Sequence, residues 1–199
     1  MPMLLLALLQ ATPALPADNV QAAYMCRQAA VTGLSSLPLE VTAQFTYYTQ
    51  VAARAMPGDG AYSDRMRTAM TAAGPGSLSA DTARAALIEC DQRFPLARRS
   101  GAVTLPADIF QRDMICASVG STLMGSARGY GERTGDTAPY VRIRALAMRF
   151  QQRAVPAMAA RGLTDPAAVS REIGNAVFAS LDLGNAIAVT NACEALPAS

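Results

Sequence analysis

The 199-residue chain carries 17 positive charges, all arginine, against 15 acids for a net charge of +2, and it contains no lysine, histidine or tryptophan. Those absences exclude histidine-based nucleophilic catalysis, imidazole metal ligation, lysine Schiff bases and the lysine of a phosphate-binding loop. Apolar residues make up 51% and charged residues 16%, the balance of a chain that folds around a core, and the interspersed charge offers no basic stripe for nucleic acid.

The chain opens on an apolar run, Met1 to Leu9, that passes through Gln10 into Ala11-Thr12-Pro13-Ala14-Leu15-Pro16-Ala17. This has the form of a secretory signal peptide over residues 1–17, with Ala14 or Ala17 as the last residue removed, although no basic residue precedes the run. It is too short to span a membrane, and no other segment reaches the required length of about 20 apolar residues.

From there on, helical periodicity dominates and no stretch alternates as a strand does. The expected fold class is all-α, with helices over 18–33, 38–56, 61–73, 79–94, 106–127, 138–160 and 165–194, the last with a possible break at Gly184. Ser79 reads as an N-cap, and Ala83, Leu87, Cys90 and Phe94 form one apolar stripe that puts the cysteine on a buried face. Pro38 and Pro106 read as helix openings, as does Pro166 after Thr164-Asp165. Pro156 is expected to kink or end its helix. The segments 56–60 and 73–77, rich in Gly and Pro, read as turns.

Two halves of the chain resemble each other. Tyr48-x-x-Val51-x-Ala53-x-Ala55-Met56 lines up with Tyr140-x-x-Ile143-x-Ala145-x-Ala147-Met148, with Cys26 and Cys116 lying 22 and 24 residues upstream. Cys90 and Cys193 each follow downstream, shortly before a proline. This predicts two tandem helical units, residues 18–97 and 106–199, joined by a linker over 98–105. An even cysteine count behind an export signal reads as disulfides. Symmetry between the units favours Cys26–Cys90 and Cys116–Cys193 among the three connectivities, each bridge tying the first helix of a unit to its last.

Five groups of residues bear on chemistry. The segment 125–136, with four glycines in eleven residues, reads as an irregular loop presenting Arg128, Tyr130, Glu132 and Arg133, a candidate clamp for an anionic group. Arg142, Arg149 and Arg153 share the side of their helix opposite the apolar stripe and read as a solvated face. Tyr48 and Tyr140 begin matching apolar stripes and, with Tyr47, read as core rather than as catalytic or ligand-binding groups. Met66 and Met70 share a helix face, but one pair without histidine is a weak copper signal, and no metal or other cofactor is expected. The acid pairs Glu89/Asp91 and Asp108/Asp113, and the single acids Glu172 and Asp182, carry no glycosidase or nucleophile signature.

Function by elimination is recognition. The expectation is an exported, periplasmic or secreted bacterial helical protein, non-catalytic, that binds another protein of the cell envelope. The alternatives are an inhibitor or immunity-type protein acting through the 125–136 segment, and a carboxylate-dependent hydrolase.

Overall fold

The computed structural model describes residues 14–58, 60–74 and 76–197; most of the expected signal segment lies outside them. Among the described residues there are eight α-helices and no strand: α1 (Asn19–Val31), α2 (Leu39–Ala55), α3 (Tyr62–Thr71), α4 (Ala80–Arg93), α5 (Ile109–Thr134), α6 (Ala138–Ala160), α7 (Pro166–Ser180) and α8 (Ala186–Glu194), with a 3₁₀ turn over Pro95–Arg98 after α4. The starts are written in side chains that accept orphan N–H groups: Asp18, Ser79, Asp108, Asp165 and Asn185 each cap the helix that follows, a contribution of about 1 kcal/mol apiece.

In the first half, α1 packs along α2 and against α4, and Cys26 on α1 is bonded to Cys90 on α4. In the second, α5 packs along α6 and against α8, and Cys116 on α5 is bonded to Cys193 on α8. The paired Cα atoms lie 5.7 and 5.8 Å apart, and all four cysteines are buried. Helix α2 joins the halves. Its Leu39 and Ala43 enter a cluster with Leu123, Ala127 and Ile143. Its Tyr47 hydroxyl faces the Leu181 carbonyl at 3.4 Å, and its Arg54 donates to Asp182 at 2.8 Å.

The segment between the halves is pinned. Arg99 donates to the Leu183 carbonyl, and Asn185 donates to the carbonyls of Ala97 and Arg99 while its own side-chain oxygen accepts from the N–H groups of Ile187 and Ala188. One buried amide therefore caps α8 and fixes the connection, which satisfies its donors and its acceptor together.

Several expectations are corrected. Residues 125–134 are not a loop: α5 runs unbroken through them and stops at Gly135, whose φ of 80° and N–H bond to the Gly131 carbonyl form a left-handed C-cap. Glycine costs about 1 kcal/mol in a helix interior, but here the helix is held from outside. Leu123 and Ala127 are buried, and Gly131 passes so close to the next turn that a Cβ there would sit 3.1 Å from the Asp136 carbonyl oxygen. Pro156 does not end α6, which continues to Ala160. The helix expected from 106 begins at Ile109, because Asp108 and not Pro106 caps it, whereas the break allowed at Gly184 in the helix over 165–194 is present and separates α7 from α8.

The expected solvated arginine face on α6 is also corrected. Arg142 pairs with Glu194 at 3.0 Å, Arg149 donates to the Cys193 carbonyl at 2.7 Å, and Arg153 pairs with Asp113 at 2.9 Å. Both Arg149 and Arg153 lie over the ring of Phe150. That side of α6 is flanked by α5 and the end of α8, so the half-buried Arg149 and Arg153 serve as tertiary ties, while Arg142 reaches Glu194 from an exposed position.

Candidate functional site

Helices α6 and α7 each pack along α5, with little direct contact between them. The gap they leave is a groove of about 460 Å³, within the range of small-molecule sites. Its floor is the α5 face carrying Met114, Ala117, Ser118, Ser121 and Thr122; α6 supplies Gln151, Ala154, Val155 and Met158; α7 supplies Val169, Ile173 and Val177. Tyr62, at the start of α3, closes one side. No lining residue carries a charge.

The groove is polarised along its length. The antiparallel α5–α6 hairpin brings Gln151 to Ser121, whose hydroxyl oxygen accepts from the Gln151 amide at 2.9 Å. The same register sets Met158 opposite Met114 one to two turns away, both buried. The Ser121 and Thr122 hydroxyls donate to carbonyls of their own helix, which leaves their lone pairs, with Gln151, as the polar groups of that end. So one end is exposed and hydrogen-bonding, and the other is buried and apolar. At the rim, Val155 is 57% and Ile173 37% exposed.

Tyr62 is placed by Gly174 of α7, where a Cβ would approach the Tyr62 Cβ to 2.6 Å, and by an edge-on contact with Phe178. Burial pushes the Tyr62 phenol above its ordinary range, partly offset by a hydrogen bond with Gln50, so the ring adds no charge at neutral pH. Arg65 fixes the approach to α3 by donating to the Arg54 and Met56 carbonyls. Buried Arg27 holds its far end through the Ala69 and Ala72 carbonyls.

The residues singled out from sequence are placed elsewhere. Arg128 pairs with Glu132 one helical turn on, at 2.9 Å, and Arg133 donates to the Leu37 carbonyl. Tyr130 lies half-buried on the same helix.

Five of the six acids singled out are engaged in structure: Glu89 accepts from the Leu15 N–H, Asp91 pairs with Arg98, Asp108 caps α5, Asp113 pairs with Arg153 and Asp182 with Arg54. Among the described residues no group of three or more acids and cysteines is arranged to hold a metal ion. No helix among them is long and apolar enough to cross a membrane, and the two disulfides point to an oxidising environment.

No motif in the sequence singles out the groove residues. Ser118 and Ser121, polar and one turn apart on an apolar α5 face, are the local signal for it. The cavity itself depends on how α6 and α7 straddle α5, which no local pattern encodes. No known protein family, curated protein or solved structure matches the chain.

Proposed function

We propose that this chain is a non-catalytic binding protein of the bacterial periplasm or extracellular space, and that its site is the groove between α6 and α7. The carrying observation is the combination of a charge-free lining with one hydrogen-bonding, exposed end and one buried, apolar end. That polarity matches a neutral single-chain amphiphile or acyl group, its tail running toward Met114 and Met158 and its polar head emerging beside Gln151. The stretch of α5 from Met114 to Thr122, eight helical rises, sets a length of about 12 Å. The volume of 460 Å³ spread over that length gives a channel roughly 6 Å wide, half the diameter of an α-helix. A chain or a ring enters it; a whole helix does not.

The test is displacement of a neutral fluorophore, Nile red, from the oxidised chain by 1-monodecanoylglycerol, decanoate and decyltrimethylammonium. The neutral compound is expected to displace it at least tenfold more effectively than either ion, because an ion entering the groove loses its hydration without gaining a partner. Each methylene removed from the tail should weaken binding about fourfold. Ile173→Asp, at the exposed rim, should abolish binding with the helical circular dichroism unchanged. Equal displacement by a charged compound, or undiminished binding by Ile173→Asp, overturns the assignment.

A second reading, binding of another envelope protein, is favoured by the exposure of Val155 and Ile173 at the rim, which a partner laying a row of apolar side chains into the channel would cover. Nile red bound in the groove but displaced by none of the three compounds would support that reading over the first.

A further inference from the structure

The docking of residues 15–17 onto α4 selects between the two processing sites the sequence leaves open. The Leu15 backbone N–H donates to the Glu89 carboxylate at 2.7 Å, and the Leu15 side chain packs into the clusters around α1 and α4. Arg93 donates to the Pro16 carbonyl at 2.7 Å, to the Ala17 carbonyl, and to the Asn19 side chain. Loss of residues 15–17 would remove an apolar side chain from the core, strip Glu89 of this donor and leave Arg93 with Asn19 alone. Residues 15–17 are thus built into the folded domain.

We infer that the export signal is cut between Ala14 and Leu15, and that the new α-ammonium of Leu15 forms an ion pair with Glu89. The cut is a hydrolysis by a processing peptidase of the export machinery. The Ala14–Leu15 C–N bond breaks, water supplies the hydroxyl that completes the Ala14 carboxylate, and the protons go to the Leu15 nitrogen. A neutral amide donor becomes a cationic one facing a carboxylate at hydrogen-bond distance, a change that strengthens the contact. The sequence agrees: a cut after Ala14 places the small residues Thr12 and Ala14 at the third and first positions before the bond, whereas a cut after Ala17 places Leu15 at the third. Asp18 then caps α1 a few residues behind a terminus anchored at both Glu89 and Arg93.

The experiment is the intact mass and N-terminal sequence of the full chain expressed in a secreting bacterial host and recovered from its periplasm or medium, followed by amine-selective acylation near pH 7. The expected product spans residues 15–199 with both disulfides formed. Its α-amine is expected to react several-fold more slowly than that of Glu89→Gln, in which the ammonium has no carboxylate to hold it charged. A product starting at Asp18, or one keeping Met1, overturns the inference. So does a product starting at Leu15 whose α-amine reacts at the same rate with and without Glu89, because the ion pair would then be absent.

Discussion

Tyr48 is wholly buried on α2, edge-on to both Tyr47 and Phe94, and its hydroxyl has no hydrogen-bond partner among the described residues. Burial, with Asp91 adding to it, pushes the phenol up to about 12 from its ordinary value of 10.0. Below pH 10 the folded and unfolded chains both keep the proton and Tyr48 gives stability no pH dependence. Between about pH 10 and 12 the unfolded chain releases the proton while the folded one holds it, so stability falls as pH rises, by roughly 2–3 kcal/mol in all. Tyr48→Phe removes that alkaline loss. At pH 7 it also removes a buried hydroxyl with no partner among the described residues, a gain of about 1–2 kcal/mol, or roughly 2–8 °C in Tm for a chain of this size. Urea titrations at pH 7 and at intervals up to pH 12 measure both effects, and the variant is expected to be more stable at pH 7 and less steeply destabilised above pH 10. Because Tyr47, Tyr24 and Tyr62 are also raised by burial, some alkaline slope remains in the variant. A loss of 1 kcal/mol or more at pH 7 would show that the hydroxyl is bonded in the folded protein, and an unchanged alkaline slope would show that Tyr48 is not the group titrating; either refutes the reasoning.

Four further outcomes rest on the same packing. Gly125→Ala, in open space on α5, should stabilise by roughly 0.5–1 kcal/mol through helix propensity. Gly120→Ala, whose Cβ would meet the Ala147 Cβ at 3.1 Å and its Cα at 3.2 Å, should destabilise by about 1–3 kcal/mol as α5 and α6 are forced apart; urea midpoints of the same sign for both would contradict the register described. Asp113→Asn leaves Arg153 without its carboxylate in a site where the Asp113 side chain is only 6% exposed, and a loss of about 3–5 kcal/mol is expected, measured by thermal unfolding against Arg84→Ala on the surface as a control near zero. Breaking Cys26–Cys90 or Cys116–Cys193 with paired serines opens spans of 64 and 77 residues, each worth about 4 kcal/mol on the loop-entropy account; an unchanged urea midpoint in either double variant would remove the bridges from the stability argument.

The helical class and several helix starts were legible because they rest on local chemistry: Ser79 and Asp165 each stand where a cap must stand, and the stripe through Cys90 points that cysteine inward. The disulfide pairing was legible from the matched spacing of two half-sequences, although whether the halves descend from one unit is a separate question. The glycine-rich end of α5 misled because propensity is a local quantity. What holds that segment helical is the burial of Leu123 and Ala127 against α2 and α6, together with the Gly131 contact that only a missing side chain allows. The arginines of α6 misled for the same reason, since their partners Asp113, Cys193 and Glu194 lie 40 or more residues away in sequence. The groove is the extreme case: its lining comes from four helices, and only Ser118 and Ser121 mark it locally.

The most direct measurement of the central claim is a two-dimensional NMR titration of the oxidised chain with 1-monodecanoylglycerol, read at backbone amides and methyl groups. The account predicts saturable shifts concentrated at Ser118, Gln151, Val155, Met158 and Ile173, with the C-terminal turns of α5 around Arg128 and Glu132 unmoved. Shifts confined to other surfaces, or none at concentrations where the amphiphile is monomeric, would contradict it.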